Sequence, residues 1–174
     1  VNPLTTLSPD DLVIVGIDPG PRPGLCALRF NTAKIRCATP VILQCYPASA
    51  AITMLKSILP RDVKLIILSY ELWIPSNKAG KLATPSAAIA TGKMCARLDA
   101  LPTEDDRIVV KHHSAAQVKP WATIERMEKA GLELITKGMT HARDGGKQAL
   151  FCAVHSAGVP DPLSRKHRKI DIPA

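Results

Sequence analysis

The chain has 174 residues, with 23 Lys and Arg against 15 Asp and Glu, a formal charge of +8 and a pI near 9.4. That length suits one domain around a single core, and no apolar run reaches the ~18 residues a membrane-spanning helix needs. The excess of base favours polyanionic partners through counterion release, while an aromatic content of 3% argues against a single-strand binder built on stacking platforms.

No charged segment followed by an apolar core opens the chain, so it reads as soluble and cytoplasmic. Cys26, Cys37, Cys45, Cys95 and Cys152 are odd in number and lack CxxC or Cys/His ligand spacing. They indicate buried, reduced thiols, with neither a disulfide framework nor a structural zinc site.

Residues 1–11 carry Pro3 and Pro9 and read as a flexible lead-in to a domain over 12–158. Leu12 to Ile17 is short and β-branched, a strand buried on both faces, and it runs into Asp18. Gly24 to Phe30 and Ile35 to Tyr46 predict the next two strands, making a meander. Ser49 to Leu59 has helical apolar spacing and ends at Pro60. Lys64 to Tyr70 predicts another buried strand, which stops at Glu71. Pro75 to Pro85 reads as loop, and Ser86 to Leu101 as a helix of many small residues, suited to close packing on the sheet.

Arg107 to Lys111 predicts a short strand. Ser114 can cap the following turn, Pro120 interrupts that segment, and Thr123 to Ala130 resumes as helix with Gly131 just past its end. Ala142 to Ala157 predicts the last helix, and 159–174, with Arg165 to Lys169, a basic tail. The order β-β-β-α-β-α-β-α is that of a mixed α/β sheet and not of a repeating βαβ array.

If the strands ending at Asp18 and Glu71 are parallel neighbours, both carboxylates reach the same sheet edge. In "THARDGGKQAL", His141 and Asp144 are three residues apart and share one face of a first helical turn. Converging carboxylates repel unless a cation neutralises them. Hard oxygen donors suit Mg²⁺ or Mn²⁺, which can hold a phosphodiester and activate water. Each residue also has a plainer reading: Asp18 as a turn former, Glu71 as a solvated strand end, Asp144 as a partner of the helix dipole, His141 as a cap. All of these would have to hold at once, so the conjunction favours a metal site.

After Glu71, Trp73 could stack on an exposed base while Lys78 and Lys81 hold phosphates; Trp73 packing under its own loop is the alternative. Lys111 and Lys119 are candidate cations near a scissile phosphate, or solvated surface lysines. His112 and His113 are adjacent and point differently from a strand, which disfavours a metal pair.

Taken in order, "GIDPGPRPGLCA", "LIILSYE" and "HARDGGKQAL" resemble the RuvC family of Holliday-junction resolvases, in the RNase H-like nuclease superfamily, over Leu12 to Gly158. The segment "HHSAAQVKPWATIERMEKAGL" is similar to phage-encoded members. The resemblance implies an RNase H-like mixed five-stranded sheet flanked by helices on both faces. It also implies two divalent ions, Mg²⁺ or Mn²⁺, bridged by Asp18, with Glu71 on one and Asp144 with His141 on the other. The implied reaction is hydrolysis of symmetrically placed phosphodiesters in a four-way junction by a homodimer, leaving 5′-phosphate and 3′-hydroxyl ends, with the helix from Ser86 to Leu101 as the place for the dimer interface or for DNA contact. Gly145 and Gly146 depart from the family pattern: they weaken the helix or let its backbone approach DNA. Alternatives are a broader flap, fork or Y-junction nuclease and a non-catalytic branched-DNA-binding protein. GIDPG also resembles actin-like phosphate loops, but those folds need a second such loop and about twice this length.

Overall fold

Leu12–Asp18 forms the central strand β1 of the computed structural model, which describes residues 12–31, 36–37, 41–44, 48–71 and 84–164. Beside it run β2 (Gly24–Asn31), β3 (Arg36–Cys37), β4 (Val41–Gln44), β5 (Leu65–Tyr70) and β6 (Ile108–His112). β2 is antiparallel to β1, with Leu12 opposite Phe30 and Asp18 opposite Gly24. β5 is parallel to β1, with Ile17 opposite Tyr70, and β6 is parallel to β5. Both β3 and β4 pair with the other edge of β2, so six strand segments fill five positions of a mixed sheet. The single strand expected over Ile35 to Tyr46 is therefore two described pieces, on either side of residues 38–40.

Alternation along β1 divides the core into two layers. Val13, Val15 and Ile17 pack with Ala51, Ile52 and Leu55 of α1 (Ala48–Ile58) and Met94, Cys95 and Leu98 of α2 (Pro85–Ala100). Leu12 and Ile14 pack on the opposite face with Ala149, Leu150, Cys152 and Ala153 of α6 (Thr140–His155). Each large apolar side chain buried this way contributes about 1.5–3 kcal/mol. A strand clamped between two layers is a rigid mount for its terminal residue. Cys26, Cys95 and Cys152 are buried in the core; Cys45 lies outside the described residues.

Three glycines set how closely α6 approaches. A Cβ on Gly16 would stand 1.9 Å from the Gly145 carbonyl oxygen and 2.3 Å from the Ala149 nitrogen; one on Gly24 would stand 2.0 Å from the His141 carbonyl carbon. A Cβ on Gly145 would in turn meet the Gly16 and Gly24 carbonyl oxygens at 2.9 and 3.0 Å. Gly145 and Gly146 are buried, so they bring the helix onto the sheet and do not offer backbone to DNA. The lost helix propensity is offset by that close contact.

Between β6 and α6 lie α3 (Ala115–Trp121), α4 (Ile124–Lys129) and α5 (Leu132–Ile135). A capping box between Ser114 and Gln117 starts α3, which runs through Pro120 instead of breaking there. Pro120 sits in the last turn, where only its own N–H is missing, and the Ala122 N–H still reaches the Val118 carbonyl at 2.8 Å. Thr123 caps α4, and Gly131 at φ 72° follows it. The one-turn α5 is not foreshadowed in the sequence reading. α6 begins at Thr140, two residues before the expected start, so His141 and Asp144 both lie within it.

Beyond α6 the chain stays packed past residue 158. The Val159 N–H donates to the Ala153 carbonyl at 2.9 Å, and Arg126 Nε reaches both carboxylate oxygens of Asp161 at 3.1 Å. Among the described residues no helix is long and apolar enough to cross a membrane.

Candidate functional site

Because β1 and β5 are parallel neighbours, their carboxyl ends lie at one sheet edge. Asp18 is the last residue of β1, and Glu71 directly follows β5. The glycine contacts seat the first turn of α6 against this edge. There His141 Nδ1 lies 2.8 Å from Asp18 Oδ2. An ionised carboxylate can only accept, so Nδ1 is the donor and the imidazole ties α6 to the end of β1. One turn further along, Lys147 Nζ donates to Asp144 Oδ1 at 2.7 Å.

Asp18, Glu71 and Asp144 line a single cleft together with Lys119, Lys147 and Gln148. Burial pushes the Asp18 carboxyl above its ordinary value; the hydrogen bond and charge of His141 act against that, and Asp144 adds to it. Burial likewise raises Glu71, against the pull of Lys119 and with added repulsion from Asp18 and Asp144. The three acids thus feel one another across a partly desolvated space. Such a set is stabilised by a cation placed among them.

Of the residues singled out in the sequence, the fold gathers Asp18, Glu71, Asp144 and Lys119 around the cleft, with His141 touching Asp18. Lys111 is exposed on β6, opposite Ser69, and is not among the residues lining the cleft. Trp73, Lys78 and Lys81 fall outside the described residues. His112 and His113 diverge as expected: His112 Nε2 faces Asp99 at 3.2 Å, while His113 lies between the Ser69 and Ser156 hydroxyls at 3.0 and 3.1 Å.

Two polar lining residues, Lys147 and Gln148, were not singled out in the sequence. Their signal was spacing: they follow Asp144 by three and four residues on a helix and so share its face. Gln148 is only 5% exposed, and its Oε1 has no hydrogen-bond partner among the described residues. A buried acceptor of this kind calls for a donor.

Among the described residues no three His, Cys, Asp or Glu side chains form a ready-made ligand cluster. The chemistry of the cleft nonetheless fits a hard divalent cation. Three mutually repelling carboxylates offer oxygen donors, and the orphaned Gln148 oxygen can accept from the water that such a cation retains.

No family model and no curated protein matches the sequence. Among solved structures, RuvC of T. thermophilus in complex with Holliday junction substrate matches with a TM-score of 0.51 and 16% sequence identity. The match covers 84% of this chain and 97% of that one. The fold is RNase H-like, as in RuvC. At this identity the likeness is one of architecture, and the RuvC-like sheet accounts for the shared edge at which Asp18 and Glu71 stand.

Proposed function

We propose that the chain is a divalent-metal-dependent endonuclease that resolves four-way DNA junctions, cutting paired phosphodiesters to leave 5′-phosphate and 3′-hydroxyl ends. The observation that carries this reading is the gathering of Asp18, Glu71 and Asp144 on one cleft at the carboxyl edge of a RuvC-like sheet. Asp18, Glu71 and Asp144 would hold Mg²⁺ or Mn²⁺, which supplies charge stabilisation at the phosphorus and a water activated for in-line attack.

The protein's own groups do the rest. Lys119, on the cleft wall, draws the scissile phosphate toward the carboxylates, and His141 fixes Asp18 through Nδ1. The net charge of +8 favours the junction arms through phosphate contacts that carry no sequence preference. Lys111 would serve the arms and not the cleft, and Trp73, Lys78 and Lys81, which follow Glu71 in the sequence, would add base and phosphate contacts. Two strands of a junction need two sites, so the active form is a homodimer. The first turns of α2, where Ile89 is 57% exposed, offer a face for the second copy. The resemblance of His112 to Leu132 to phage-encoded resolvases would place the activity in a host cytoplasm.

Four-way, three-way, forked and linear duplex substrates incubated with Mg²⁺ test the reading. Preferential, symmetric cutting of the four-way junction is the expected result. Equal cutting of forks and flaps would replace it with a broader branched-DNA nuclease, and binding without nicking in Mg²⁺ or Mn²⁺ would leave a branched-DNA-binding protein.

A further inference from the structure

The cleft already contains a cation of its own. Lys147 lies one helical turn after Asp144, within reach of it on the same face of α6, and its ammonium donates to Asp144 Oδ1 at 2.7 Å. Both side chains are partly buried, 26% exposed for Lys147 and 36% for Asp144. One Asp144 oxygen is therefore committed before any ion arrives.

The charges of the lining side chains point the same way. Three carboxylates and one substrate phosphate are balanced by Lys119, Lys147 and a single divalent ion. A second divalent ion would leave the cleft with surplus positive charge while competing with Lys147 for Asp144.

We propose that Lys147 is a built-in substitute for a second metal ion, so that each cleft takes up one divalent cation, at Asp18 and Glu71. The inference rests on the metal-dependent reading of the same site. Asp144 then acts as a shared anchor, with one oxygen on the ammonium and the other left for the cation. Lys147 is a positioning residue: it sets how many ions the acids admit.

The test counts Mn²⁺ bound to the intact, DNA-free chain, by isothermal titration and by the loss of the free-Mn²⁺ electron paramagnetic resonance signal. Wild type is expected to bind one ion per chain, Lys147→Met two, and Lys147→Arg one, since arginine keeps the charge. Two ions in the wild type, or one in a folded Lys147→Met, overturns the proposal. Circular dichroism establishes that the variants fold, and the wild-type count stands without them. Asp18→Asn separates the two claims. Loss of Mn²⁺ binding in it locates the counted ion in the cleft, whereas unchanged binding overturns the metal-site reading and this proposal with it.

Discussion

Gly16 of β1 and Gly145 of α6 meet backbone to backbone: a Cβ on Gly16 would fall 1.9 Å from the Gly145 carbonyl oxygen. This contact brings Asp144 to the edge that carries Asp18. Gly16→Ala must push α6 off the sheet, at a cost of about 3 kcal/mol from overpacking alone. Gly20, in the turn after Asp18, has nothing within 4 Å of its Cβ position, so Gly20→Ala should stay within about 0.5 kcal/mol of wild type. Urea denaturation of the two variants measures the difference. Equal stabilities would refute the role given to Gly16.

His113 ties the end of β6 to both α6 and β5. Its ring lies between the Ser69 and Ser156 hydroxyls and edge-on to Phe151 at 5.1 Å. Burial, with His155, Lys111 and His112 nearby, holds the imidazole below its ordinary value of 6.5. The folded form therefore keeps it neutral where the unfolded chain would bind a proton. Its contribution is complete above the ordinary histidine value and is lost as pH falls through the folded one. Thermal melts from pH ~7.5 down to ~5 should show falling stability in the wild type and a shallower fall in His113→Gln. Parallel slopes would exclude His113 as a source of the pH dependence.

Arg126 fastens the segment after α6. It reaches both oxygens of Asp161 at 3.1 Å, donates to the Trp121 carbonyl at 2.8 Å and lies 4.7 Å from the Trp121 ring centre. Burial pushes the Asp161 carboxyl up, yet the Arg126 hydrogen bonds and charge, with the Leu163 N–H and His155, bring it below its ordinary value. Arg126→Ala should cost about 2 kcal/mol, as expected for a charge-assisted bond in a partly buried setting. It should also speed proteolysis near residues 159–164. A variant as stable and as protease-resistant as wild type would contradict this anchoring.

The sheet edge was legible in the sequence because two β-branched runs each stop on an acid, at Asp18 and Glu71, and a strand buried on both faces leaves little choice of position. The start of α6 was legible from His141 and Asp144 sharing a helical face. What Gly145 does was not: a small residue in a helix suits close approach to DNA or to a sheet, and only the long-range contact with Gly16 decides. Pro120 misled as a breaker, because its effect depends on which turn of the helix it occupies. Lys147 carried the spacing to pair with Asp144, but spacing alone does not say whether a lysine turns to its neighbour or to water.

The central claim is that Asp18 serves metal-dependent cutting of branched DNA. The most direct measurement incubates wild type and Asp18→Asn with a mobile four-way junction, with and without Mg²⁺, and maps the cuts. Paired, symmetric nicks with ligatable ends are expected for wild type, and only when Mg²⁺ is present. For Asp18→Asn, cutting slowed at least about 10²-fold is expected, with junction binding retained at low salt. Cutting by Asp18→Asn at the wild-type rate, or by wild type without a divalent ion, would contradict the central claim.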